Sequence, residues 1–254
     1  MKLKYTIPAG FEYNPLLLDT ILNNHTLIAG STGAGKSVLE NNILYSFLCE
    51  FFPFSDGSDA AQLVLIDPKK VELSIYKNLP HCILYADNIT DTIQALKTIK
   101  NIVADRLNEM QKKGIRKSEK SPIYIIFDEI ITLIESKYKK ELIELIADII
   151  SISRCTNIFF IIFTQNPARG KIPSCIQLNC NCRIALYCNS RIESIEILGE
   201  PGAEKLPFHG KAIVRKDIQK YYINIPMYNE NNLLLLIDQW KKQNRIKRML
   251  LKAL

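Results

Sequence analysis

Gly30-Ser31-Thr32-Gly33-Ala34-Gly35-Lys36-Ser37 fits the pattern G-x-x-x-x-G-K-[ST]. Its flanks decide how it is read. His25-Thr26-Leu27-Ile28-Ala29 reads as a short buried strand, and Val38, Leu39, Ile43, Leu44, Phe47 and Leu48 recur at helical spacing. Strand, glycine-rich turn and helix in that order make a phosphate cradle. Glycines let the backbone wrap an anion with its N–H groups pointing inward, and the helix N-terminus adds positive potential. Gly30 through Val38 are the expected nucleotide-binding residues. Lys36 is expected to reach the β- and γ-phosphates of ATP, and the Ser37 hydroxyl to ligate Mg²⁺.

Ile123-Tyr124-Ile125-Ile126-Phe127-Asp128-Glu129 is an apolar strand that ends in two carboxylates. This is the form of a Walker B segment. Asp128 would join the Mg²⁺ shell, and Glu129 would orient and polarise the attacking water.

Composition bounds the class. With 254 residues and 47% hydrophobic content, the chain suits one large α/β domain with a full core. No apolar run approaches the ~18 residues of a membrane span, and the N-terminal residues carry no signal-peptide pattern. No direct membrane span is expected, so a membrane role would need an anchored partner. The formal net charge of +7 is compatible with a polyanion partner. Part of it is local: Lys241, Lys242, Arg245, Lys247, Arg248 and Lys252 crowd the C-terminal end. The seven cysteines form no C-x-x-C pair, and reduced thiols in a cytoplasmic protein are the expectation. Cys175, Cys180, Cys182 and Cys188 match no common zinc spacing.

Strand-like and helix-like segments alternate. Leu63–Ile66 reads as a strand running into Asp67-Pro68, residues 89–113 as a helix, 114–121 as a basic loop and 138–153 as an amphipathic helix. Residues 158–163 and 184–187 read as further strands. Continuous apolar strands separated by helices imply a mainly parallel sheet covered on both faces. Lys211–Arg215 and Tyr221–Ile225 read as a hairpin turning near Asp217, and 230–254 as a basic amphipathic helix with Leu233, Leu236, Ile237, Trp240, Ile246, Met249 and Leu250 on its stripe. The expected organisation is a short segment over 1–24, a P-loop ATPase domain over 25–228 and the terminal helix over 229–254.

Together these segments resemble the motor domain of the FtsK/SpoIIIE family of DNA translocases, from about His25 to Arg215. The phosphate loop and its strand match. Leu65-Ile66-Asp67-Pro68-Lys69-Lys70-Val71-Glu72-Leu73, followed by Leu79-Pro80-His81, is similar to a block peculiar to the family, and it carries the specificity. Phe127-Asp128-Glu129, Thr164-Gln165-Asn166-Pro167, Arg183-Ile184-Ala185, Ser190–Ser194 and Gly202–Leu206 with Gly210 follow in order. The resemblance implies a RecA-like fold and a homo-oligomeric ring, a hexamer, with ATP at subunit interfaces. It implies that Gln165 senses the γ-phosphate and that Arg191 is an arginine finger acting on the neighbouring subunit's nucleotide. Arg154 and Arg183 are lesser candidates for phosphate or inter-subunit contacts. Two departures stand out: Asn166 replaces an arginine, and the loop before Ile123 is short. A reduced, stand-alone motor of a mobile element is the reading that results.

The leading functional expectation is ATP-driven translocation of double-stranded DNA. Arg169 and Lys171 after the Thr164 turn, with Arg116 and Lys117 in the basic loop beside Lys112 and Lys113, would grip phosphates without reading bases. The alternative is the ATPase of a conjugative or type VII-like secretion system, which shares this core and moves protein or DNA–protein substrates. A nucleotide-binding scaffold with a decayed site is the third reading, and the intact Lys36, Ser37, Asp128 and Glu129 argue against it.

Overall fold

The computed structural model describes residues 21–51, 61–165, 170–228, 230–235, 237, 238 and 241. Its frame is an eight-stranded sheet. The strands in chain order are β1 (Thr26–Ala29), β2 (Gln62–Ile66), β3 (Cys82–Ala86), β4 (Ile123–Phe127), β5 (Ile158–Thr164), β6 (Cys182–Ala185), β7 (Lys211–Lys216) and β8 (Gln219–Asn224). In space the order is β3-β2-β4-β5-β1-β6-β7-β8. The first six in that order are mutually parallel, and β7 and β8 are antiparallel additions at one edge. Asp217 turns the β7–β8 hairpin at φ 54°, a left-handed position that Asp tolerates.

The strand sequences are apolar without alternation because both faces of the sheet are covered. Ile28, Leu65, Ile126, Ile161 and Phe163 pack on one side with α1 (Lys36–Phe51), through Leu39, Ile43, Leu44 and Phe47. Leu27, Val64, Ile125, Phe160 and Ile162 pack on the other. There they meet α2 (Ile89–Lys113), α3 (Ile130–Ile134), α4 (Lys139–Ile150) and α5 (Ser174–Asn179). Adjacent strand residues thus enter opposite cores, as a period of two requires. A smaller cluster under α6 (Arg191–Leu198) gathers Ala29, Ala185, Ile197, Leu198 and Ile213.

Local chemistry sets the ends of α2. Asn88 caps it by accepting from the Asp91 N–H at 3.0 Å. Gly114 stops it at φ 65°, with its N–H on Gln111 and the Ile115 N–H on the Met110 carbonyl. The helix spans the expected residues 89–113. Two of the expected bounds shift, and one strand is added. The 138–153 helix is shorter, Lys139–Ile150, because residues 153–156 tighten into a 3₁₀ turn that ends on Asn157 at φ 57°. The strand read at 184–187 is Cys182–Ala185, pinned by β1 on one side and β7 on the other. Cys82–Ala86 is a strand that its mixed, half-exposed pattern hides, since it lies at the sheet edge.

No helix of the described residues is long and apolar enough to cross a membrane. Of the basic C-terminal stretch, 230–235 and residues 237, 238 and 241 are described, and they are helical. Leu233 and Ile237 are buried in the same core as α1, while Leu234 and Leu235 are exposed. The described part of that helix therefore packs on the domain itself. Leu236, Trp240, Ile246, Met249 and Leu250 lie outside the described residues.

Candidate active site

All six parallel strands end at one edge of the sheet, so their C-terminal loops converge there. β1 delivers Gly30–Ser37, β2 delivers Asp67, β4 delivers Asp128 and Glu129, β5 delivers Gln165, and β6 delivers Tyr187 to Asn189. The phosphate loop is tied to this edge by the Ser31 N–H donating to the Tyr187 carbonyl at 2.9 Å. Gly30 is required by close approach, since a Cβ there would stand 2.5 Å from Cβ of Leu186. Gly35 is required by backbone shape, with φ at 98°.

β5 lies between the strand that bears the phosphate loop and the strand that bears Asp128. Lys36 bridges across it. Its Nζ donates to the Asp128 carbonyl at 3.0 Å and forms an ion pair with Asp128 Oδ1. The ammonium is only 4% exposed and stands 3.9 Å from Glu40 Oε2. Burial alone would lower the Lys36 pKa. The nearby carboxylates of Glu40 and Asp128 overcome this and hold it above its ordinary value. Glu40 is buried with no hydrogen-bond partner on either oxygen among the described residues, and burial pushes its carboxyl well above the usual range against the pull of Lys36.

Glu129 is held at its base and open toward the cleft. It caps α3 through the Ile131 N–H at 3.4 Å, accepts the Gln165 N–H at 2.8 Å, and has Lys69 Nζ at 3.9 Å. Gln165 Oε1 in turn lies 3.5 Å from the Thr32 hydroxyl. Thr32, Lys69, Glu129, Gln165, Asn189 and Glu193 line an open cleft of about 470 Å³. The Ser37 hydroxyl donates to Glu72 at 2.5 Å. Val38 is half-buried and packs into the core beneath the loop.

The donor set fits a magnesium-bound nucleotide. Asp128 Oδ2 and Asp67 Oδ1 are buried acceptors with no hydrogen-bond partner among the described residues. Such acceptors are costly, and a nearby cation offsets that cost. Asp128 and Ser37 would hold the ion.

The remaining expected residues are spread more widely. Arg191 starts α6 and is exposed, with no ion pair among the described residues. Arg183 is committed to structure: it donates to the carbonyls of Gln177, Cys180 and Ile197 and joins α5 to α6. This removes it from the phosphate and inter-subunit candidates. Arg116 and Lys117 are exposed in the loop before β4, at the opposite edge of the sheet from the phosphate loop. Lys171 is on the phosphate-loop side but pairs with Glu135 at 2.8 Å. Arg169 lies outside the described residues. Reading the sequence assigned no role to Glu40, Lys69 or Glu72. Lys69 and Glu72 lie in the block after β2, and Glu40 one helical turn beyond Lys36, which was a usable signal.

The comparisons with known proteins agree with this architecture. The FtsK/SpoIIIE family model matches residues 1–132. The DNA translocase FtsK of Borreliella burgdorferi is 30% identical over 247 residues, covering 89% of this chain and 30% of its own. The DNA translocase FtsK of Staphylococcus aureus is 34% identical over 227 residues, covering 81% and 28%. The chain thus spans less than a third of the length of these relatives. Among solved structures, the conjugation coupling protein TcpA of pCW3, a monomer form with ATPγS, superposes with a TM-score of 0.73 at 21% identity, over 89% of this chain and 66% of that one. EssC (ATPases 2 and 3) from Geobacillus thermodenitrificans gives 0.72 at 18% identity, over 88% and 44%. These two likenesses establish the P-loop ATPase fold, and the family match over residues 1–132 makes the chain a member of the FtsK/SpoIIIE family.

Proposed function

We propose that this chain is an ATP-hydrolysing motor that translocates double-stranded DNA as a cytoplasmic homo-oligomeric ring, a hexamer. The observation that carries it is the convergence of Lys36, Ser37, Asp128, Glu129 and Gln165 on one cleft edge beside the phosphate loop. Residues 25–228 form the motor unit, onto which the start of the terminal helix packs through Leu233 and Ile237.

The backbone of Gly30 to Val38 binds the phosphates. Lys36 exchanges its Asp128 contact for phosphate oxygens, which frees Asp128 as a ligand. Magnesium bound at Ser37 and Asp128 would neutralise phosphate charge. Glu129 accepts a proton from the attacking water, since its carboxylate borders the cleft and is oriented by the Gln165 N–H. Gln165 reports the γ-phosphate. Arg191, exposed and without an ion pair among the described residues, reaches the neighbouring subunit's nucleotide. Arg169, Lys171, Arg116 and Lys117 contact the DNA backbone.

Steady-state ATP hydrolysis with and without linear duplex DNA, at two salt concentrations, tests this. Strong stimulation that fades with salt supports a DNA motor that uses phosphate contacts. Hydrolysis indifferent to DNA rejects it. That outcome favours the second reading, an ATPase of a conjugative or secretion system working with a membrane-anchored partner, which the coupling protein and EssC among the structural neighbours support. A reduced motor carried by a mobile element is compatible with both.

A further inference from the structure

The segment after β2 grips the first turn of α1 at two points. Ser37 and Asn41 are one turn apart on the helix, and Glu72 and Tyr76 are four residues apart on the segment. The Ser37 hydroxyl donates to Glu72 Oε1 at 2.5 Å. The Tyr76 hydroxyl donates to Asn41 Oδ1, also at 2.5 Å, and the Asn41 amide returns to the Ser37 carbonyl at 2.9 Å. The segment is itself anchored. Asp67 Oδ2 accepts the Leu73 N–H at 3.1 Å, and Leu73 and Tyr76 are fully buried. Glu72 is therefore placed by its fold and is only partly open to solvent.

A serine hydroxyl has one proton and two lone pairs. If the proton points at a cation, ligation fails. A carboxylate that takes the proton locks the rotor and leaves a lone pair for the metal. Asp128 makes no bond to Ser37 among the described residues, whereas Glu72 already accepts the hydroxyl. We propose that Glu72 is the positioning residue of the magnesium site, orienting the Ser37 hydroxyl so that its lone pair meets the ion. This rests on the reading of Ser37 as a magnesium ligand.

Calorimetric titration of ADP into the full chain, with magnesium and with EDTA, separates metal binding from phosphate binding without turnover. In Glu72→Ala the magnesium-dependent gain in ADP affinity falls roughly 10-fold, the size expected for loss of an outer-shell partner. Metal-free affinity stays within about twofold of wild type, because the phosphate loop is untouched. Glu72→Gln, which keeps an acceptor but loses the charge, falls in between. Tyr76→Phe breaks the other grip and leaves the magnesium gain unchanged. Unchanged magnesium gain in both Glu72 variants overturns the proposal. So does an equal loss with and without metal, which would mark a purely structural clamp. A wild-type chain that binds ADP indifferently to magnesium overturns the Ser37 reading with it, and a wild-type chain that binds no ADP overturns the phosphate-loop reading itself.

Discussion

Single residues divide here into those that bind and those that turn over. Lys36→Ala removes the ammonium proposed to contact the phosphates, and loss of ATP binding by equilibrium titration is the expected outcome. Glu129→Gln keeps one accepting oxygen for either the Gln165 N–H or the cap on α3, loses the other contact, and removes the proton acceptor. It should retain ATP binding and lose about 10²–10⁴-fold in hydrolysis rate. A variant that binds and hydrolyses normally would remove Glu129 from the mechanism. His25 makes a different prediction. Its Nδ1 accepts the Phe160 N–H at 3.0 Å, so the ring is neutral when folded. Burial first, then the charge of Arg154, lower its pKa from 6.5 to about 3. The unfolded chain therefore takes up the proton first. The stability this residue contributes is complete above pH 6.5 and is lost as pH falls toward about 3. Denaturant titrations should show a slope of up to about 1.4 kcal/mol per pH unit in that window. The slope should be smaller in His25→Asn, and an unaltered slope would exclude His25 as its source.

At the scale of elements, α2 is set by short caps and by the buried Arg106. α2 is bounded by Asn88 and Gly114, and Asn88→Ala should cost about 1 kcal/mol of stability by loss of the Asp91 N–H contact. Arg106 of α2 donates to the carbonyls of Thr156 at 2.7 Å, Asn157 at 3.4 Å and Ser121 at 2.9 Å. It ties the loop before β4 to the turn before β5, at the edge away from the cleft. Arg106→Ala strips a charged donor from partly buried carbonyls. It should cost roughly 3 kcal/mol or more by thermal denaturation. The bounds of α2 were legible in the sequence because its caps are local. β3 was not, because an edge strand buries one face unevenly and its pattern of Cys82 to Ala86 has no clean period. The role of Arg106 was equally hidden, since its acceptors are backbone carbonyls that carry no sequence signature.

The whole molecule presents Arg191 exposed at the start of α6, with no ion pair among the described residues. If it serves a neighbour, then Arg191→Ala and Lys36→Ala are each inactive alone and recover part of the hydrolysis when mixed, because a mixed ring assembles some complete sites. No recovery at any mixing ratio would place Arg191 outside the site. Light scattering with and without ATP would give the size of the assembly in the same samples. The packing of Leu233 and Ile237 into the core beside α1 belongs to this scale too, since it makes the start of the terminal helix part of the domain.

The sequence by itself determined the P-loop class, the strands β1, β2, β4 and β5, and the candidates Lys36, Ser37, Asp128 and Glu129, while the family resemblance added Gln165. It could do so because a phosphate loop needs particular residues at consecutive positions, and a strand buried on both faces must be apolar throughout. Only the tertiary structure decided that Lys36 rests on Asp128, that Glu72 takes the Ser37 proton, that Arg183 is structural and that Arg116 and Lys117 lie at the far edge. Those relations join residues distant in sequence, and strand order and crossover, which no local pattern encodes, bring them together or set them apart.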